Sequence, residues 1–178
     1  ASATLSMDGT ATLTLLATFG EQAPGGPNRQ MSGPVDLPPF EHSAAPPAAT
    51  EGPEPELMNR IDVRIHPADV GFRLGEPSGT AEVRGWFSLA GEEPIDAIAL
   101  MLAADAFPPP VFNSGLPVGW APTVELTVHV RGVPAPGPLR CAFRSRFIHD
   151  GLLDEEGEIW DSTGTLVCQS RQLALTPR

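Results

Sequence analysis

Three consecutive prolines, Pro108, Pro109 and Pro110, close the best helical pattern in the chain. Proline has no amide proton to donate, and its ring clashes with the preceding turn, so a helix entering this run cannot leave it. Upstream, "PIDAIALMLAADAF" repeats Ile95, Ile98 and Leu102 at helical spacing. That repeat predicts a helix starting near Pro94 and running to the prolines. Glu92, Glu93 and Asp96 lie at its positive end, where the dipole favours carboxylates. One long helix must then bury its stripe against strands, which makes the chain an α+β, two-layer protein.

The strands are legible as alternation. "NRIDVRIHP" sets Ile61, Val63 and Ile65 against polar neighbours, and "TAEVRGWFSLA" follows with Gly91 closing it. After the helix come "TVELTVHVR", "LRCAFRSRFIH", "EGEIWDS" and "TLVCQSRQLALT". The last two are expected to form a hairpin through a turn at residues 161–164. In the final strand Leu166, Cys168, Ser170, Gln172 and Ala174 share one face. In "RCAFRSRFIH" the inward set is Cys141, Phe143, Ser145 and Phe147, with Arg144 and Arg146 outward.

Residues 1–20 read as a separate hairpin, because threonine- and leucine-rich runs flank the turn dipeptide Asp8-Gly9. Two strands alone are marginal in water, so this hairpin belongs to a larger sheet. Residues 21–56, crowded with Pro, Gly, Ala and Ser, read as an extended linker. Residues 57–178 form the main domain.

A formal charge of -11 carried by a chain with only eleven basic residues, all arginine, argues against nucleic-acid binding. No run of about 18 apolar residues is present to span a membrane. Cys141 and Cys168 fit no disulfide framework and no metal spacing, and are expected as buried thiols in a cytoplasmic protein. Glycine-rich phosphate loops, GxSxG and HExxH are absent. The four histidines lack metal-ligand spacing, so no cofactor or metal is expected.

Two polar residues stand out. Asp105 is the next position on the helical stripe, at the end of the helix where the dipole disfavours a carboxylate. It is either a buried acid with a task or a helix end that has already left the core. Gln172 shares its face with Cys168, Ser170 and Ala174, all small, as though room were kept beside the helix. A buried amide needs partners, which could be Asp105 or backbone at a sheet edge. Thr123 opens its strand after Pro122, and by itself it is an ordinary strand start.

"LAADAFPPPVF", "PTVELTVHV" and "GEIWDSTGTLVCQSRQLAL" together resemble the type II acyl-CoA thioesterases. The resemblance covers residues 57–178. It implies a hotdog fold, one long central helix wrapped by a curved antiparallel sheet, as the second unit of a double hotdog. Residues 1–20 then resemble the closing hairpin of a first unit, most of which this chain lacks. The resemblance further implies hydrolysis of acyl-CoA to fatty acid and CoA. Asp105 would act as base, with Thr123 and Gln172 positioning the water, and Met101 and Phe107 would line the acyl site. Oligomerisation through hotdog packing is expected, since a lone unit exposes a helix face and a sheet edge. A hotdog dehydratase would need a histidine soon after the helix, and residues 106–113 contain none. The remaining alternative is a non-catalytic hotdog that binds acyl-CoA or serves as an assembly partner.

Overall fold

Strand alternation is realised in a computed structural model that describes residues 1–21, 26–43, 56–91 and 93–178. Nine strands are present among these: β1 (Ser2–Met7), β2 (Thr10–Leu16), β3 (Ile61–Ile65), β4 (Glu82–Leu89), β5 (Thr123–Val130), β6 (Leu139–Arg144), β7 (Ile148–His149), β8 (Leu152–Trp160) and β9 (Leu166–Leu175). Strands β3 to β9 form one antiparallel sheet in the order β3-β4-β6-β8-β9-β5, with β7 paired to the start of β8.

One face of this sheet carries the core. Register places Val63 opposite Phe87, Gly85 opposite Cys141, Ile159 opposite both Cys141 and Cys168, and Phe143 opposite both Val83 and Gly157. The side chains in this set are buried. Over them lies helix α1 (Ala99–Ala103), which contributes Leu100 and Ala103; Ala104 and Phe107 follow it into the same cluster. Two glycines make the close approach possible. A β-carbon at Gly85 would fall 2.9 Å from the Phe107 ring, besides meeting the Arg64 carbonyl. One at Gly157 would fall 2.6 Å from the Phe143 ring and would meet Ser170 Oγ. Phe107 and Phe143 stack across this space with centroids 5.0 Å apart. Gly157→Ala is therefore expected to cost about 2–3 kcal/mol, as for an overpacked core, read as a lower urea midpoint at unchanged slope.

The helix is much shorter than the expected one. The Asp96 carboxylate accepts the amides of Ile98 (2.9 Å) and Ala99 (2.8 Å), which caps the helix there and keeps Pro94 outside it. At the other end the Asp105 amide donates to Leu102 three residues back, a tightened final turn. Phe107 precedes a proline and is steered away from helical geometry. A single turn of 3-10 helix, Pro110–Ser114, follows. The stripe is also phased differently: Ile98 is 71% exposed, and the buried set Leu100, Ala103, Ala104 and Phe107 has the i, i+3, i+4, i+7 spacing. Alanines at 103 and 104 are what allow the helix to sit close to the sheet. Glu92, expected at the helix start, lies outside the described residues.

The C-terminal hairpin forms as expected, β8 pairing with β9 through the turn at residues 161–164. Asp161 organises that turn, its carboxylate accepting the amides of Ala135, Thr163 and Thr165. "LRCAFRSRFIH" is two strands, because Asp154 Oδ1 takes the amides of Arg146 (3.0 Å) and Phe147 (2.8 Å). Those amides are withdrawn from a continuous ladder, and Phe147, expected inward, is 65% exposed.

The hairpin β1–β2 pairs only with itself, and every residue in both strands is exposed. Asp8 (φ 50°) and Gly9 (φ 78°) supply the two positive dihedrals that a tight hairpin turn requires. Within the stretch read as linker, residues 22–25 and 44–55 lie outside the described residues, and residues 26–43 run across the outer face of the sheet. There the Trp86 indole donates to the Pro38 carbonyl (2.8 Å), and Arg64 donates to the Phe40 carbonyl (2.8 Å) while lying 3.9 Å from the Phe40 ring centroid. The Gln30 side chain bonds Gly164 and Leu166.

Candidate functional site

The core face of β8, β9 and β5 changes character along its length. Ile159 and Cys168 belong to the cluster under α1, whereas Leu153 and Ala174 belong to a second cluster with Phe72, Val111 and Phe112. Between the two lies a polar step. Glu155 is directly opposite Gln172, which is in turn opposite Leu126. The small neighbours expected beside Gln172 are there: Cys168, Ser170 and Ala174 are buried on its face.

Strand β5 brings Thr123 to this step. Its register with β9 slips between Thr123 and Glu125, so that Thr123 faces Ala174 and Glu125 faces Leu173. A bulge of this kind re-aims a side chain, and here the Gln172 amide donates to the Thr123 hydroxyl. The pairing leaves the Thr123 proton available to donate and the Gln172 side-chain carbonyl available to accept. A small polar molecule can be held by both.

Asp105 follows α1. More than a third of its surface is open, unlike the buried position that the Ile95–Ile98–Leu102 phase implies. The part that is covered has a physical effect: burial raises its carboxyl pKa. Its charge also reaches the polar step, because Asp105 is one of the groups that act on Glu155. Glu155 itself is only 8% exposed. Burial first, then the charges of Asp105 and Asp154, push its pKa up to about 8. The strand pattern in the sequence starts at Glu156 and so misses Glu155. Two-residue alternation carried upstream from Ile159 through Gly157 would find a carboxylate on the buried face.

The structure thus brings Thr123 and Gln172 into contact and sets Asp105 within electrostatic reach of the same step. Met101 lies on α1 and Phe107 just after it. Met101 is 42% exposed on α1. Phe107 is a core residue, and it also lines an open cleft of about 210 Å³ with Met58, Val63, Ile65, Arg73, Ala106 and Pro108. That cleft is at the β3 edge, opposite the β5 edge that holds Thr123. Among the described residues no group of three His, Cys, Asp or Glu side chains could hold a metal, and no helix is long and apolar enough to cross a membrane.

Comparison with known proteins adds three observations. Residues 34–176 match the family described as acyl-CoA thioesterase C-terminal domain. Uncharacterised proteins of Mycobacterium bovis and Mycobacterium tuberculosis are 38% identical over 92 residues, 52% of this chain and 31% of theirs. Among solved structures, a proposed thioesterase II of Thermobifida fusca is 33% identical with a TM-score of 0.80, over 99% of this chain and 66% of that one. A hotdog protein of unknown function from Alicyclobacillus acidocaldarius has a TM-score of 0.81 at 23% identity, with the same coverage. The sheet and its short helix are a hotdog fold. The chain spans about a third of the curated relatives' length and about two thirds of the solved ones.

Proposed function

This chain belongs to the acyl-CoA thioesterase C-terminal domain family, and from that premise we propose that it hydrolyses the thioester of acyl-CoA to a carboxylic acid and CoA. The Gln172–Thr123 hydrogen bond carries the reading, since it assembles a water-holding pair from two strands at the site where Asp105 acts. In the proposed reaction Asp105 takes a proton from the water held by Gln172 and Thr123. The oxygen attacks the thioester carbonyl, and collapse of the tetrahedral intermediate expels the CoA thiolate. A carboxyl with a raised pKa suits a general base working near neutral pH.

The acyl chain is proposed to lie against α1, where Met101 is open on one side and Phe107 forms part of the floor. The exposed hairpin β1–β2 is proposed as the end of a first hotdog unit. Packing against another hotdog, in a homo-oligomer or within a longer chain, would cover the leucines that this hairpin exposes, Leu5, Leu13, Leu15 and Leu16. The test is CoA release from short-, medium- and long-chain acyl-CoAs. Gln172→Ala is expected to lower kcat at least tenfold, and Thr123→Val to add little to that loss, because the two side chains act as one unit. Binding of acyl-CoA without CoA release by the wild type would replace hydrolysis with the non-catalytic reading.

A further inference from the structure

Glu155 is the one member of the polar step to which the proposed reaction gives no part. It is on the same face as Leu153, Gly157 and Ile159, beside Gln172 across the ladder. Side chains directly opposite in an antiparallel pair have β-carbons about 5 Å apart. The side chain is more than nine-tenths buried, and no hydrogen bond reaches its carboxylate among the described residues. The arginines nearby do not serve it. Arg144 and Arg146 pair with Glu156, one residue on and therefore on the opposite face, and Arg171 opposes Glu156 on that face. The neighbours of Glu155 on the flanking strand β9 and beyond it on β5 are neutral, Gln172 and Leu126. The charged groups that act on it are both acidic: Asp105 beyond α1 and Asp154 on its own strand. Asp154 already uses Oδ1 to accept two backbone amides.

An ionised carboxylate buried among apolar groups without a cation costs several kcal/mol. A protonated one is a hydrogen-bond donor looking for an acceptor. Two carboxyls at one site with different surroundings divide the roles of acid and base between them. Here the more exposed is Asp105 and the buried one is Glu155. The geometry points to Glu155 as a fourth residue of the site, a positioning residue that keeps its proton while Asp105 is ionised and so presents a donor beside Gln172. This rests on the hydrolytic reading above, and the experiment separates the two.

Carbon-13 carboxyl labelling of glutamate in the 178-residue chain allows the resonance lost in Glu155→Gln to be assigned and titrated. The expected midpoint is near pH 8, falling in Asp105→Asn once the like charge is gone. A midpoint in the ordinary glutamate range, or one that Asp105→Asn leaves unmoved, overturns the inference whatever the activity. The second readout is the pH dependence of kcat. Wild type is expected to lose rate above about pH 8. Glu155→Gln, whose amide also donates but cannot ionise, should keep kcat within threefold at pH 7 and lose the alkaline fall. Glu155→Ala should drop kcat at least tenfold with KM little changed. Identical profiles for wild type and Glu155→Gln overturn the positioning role. Failure of the hydrolytic reading is seen elsewhere, as acyl-CoA binding without CoA release by the wild type, and leaves the titration to decide the pairing.

Discussion

Asp105→Asn is expected to lower kcat/KM for acyl-CoA hydrolysis by a hundredfold or more with the fold intact. A positioned general base contributes about 10²- to 10⁴-fold, and asparagine keeps the shape of the side chain while removing the basic oxygen. The usual objection, that an inactive variant has simply unfolded, is weak at this position. Among the described residues the Asp105 side chain makes no hydrogen bond or ion pair that the substitution would break, and its backbone amide still donates to Leu102. Burial raises its pKa, so the ionised side chain is less comfortable in the folded chain than in the unfolded one. Linkage then gives the sign: the folded state is penalised as pH rises from the unfolded pKa to the folded one, and asparagine removes the penalty. The variant should therefore melt no lower than wild type at pH 7. A rate loss without a melting loss places Asp105 at the chemistry. Equal rates would leave it a solvated helix end and remove the base from the mechanism. In wild type, the acid limb of kcat/KM should lie above the range of an ordinary aspartate, for the same reason.

Strands β3 and β6 are readable in this sequence because each is half-buried and its burial alternates residue by residue. Ile61, Val63 and Ile65 are buried as the pattern implies, and Gln172 is on the face assigned to it. The hairpin at Asp8-Gly9 is readable from local turn chemistry alone. The helix is easily misread because two stripes compete in "IDAIALMLAADAF". The stripe of large aliphatics, Ile95, Ile98 and Leu102, is the more conspicuous. Close approach to a sheet selects small residues, and the fully buried stripe runs through Ala103 and Ala104, with Ile95 and Leu102 only partly buried against the same cluster. Its length depends on Asp96, whose capping role turns on local geometry and not on periodicity. The break after Arg144 depends on a long-range partner, Asp154, which no local pattern could show. In the site, Gln172 and Thr123 come together only through a bulge in β5. Their residue types hint at function, but the contact between them is a property of the ladder.

Glu155 sets the largest expected stability effect, and its sign is opposite to that of most core substitutions. The carboxyl titrates near 4.5 when unperturbed and at about 8 in the folded chain. Below the lower value both states hold the proton and Glu155 costs nothing electrostatically. Between the two the unfolded chain ionises while the folded chain must keep its proton, so stability falls as pH rises and levels off above about 8. Each tenfold difference in proton affinity between the two states is worth about 1.4 kcal/mol, so the accumulated penalty is about 3–5 kcal/mol. Glu155→Gln removes the ionisable group while keeping the volume and a donor that can meet the neighbouring Gln172. The variant should match wild type at about pH 4.5 and exceed it by most of that amount at about pH 8.5. For a chain of this size that is a melting temperature about 10 °C higher at the alkaline pH. Melting curves of the two proteins at both pH values check it, and parallel curves at the two pH values would mean that Glu155 ionises in the folded chain as freely as in water. A protein that retains such a residue accepts a standing loss of stability at neutral pH. Placed opposite Gln172 and under the charge of Asp105, that loss has a physical return only if the proton on Glu155 is used where the chemistry occurs.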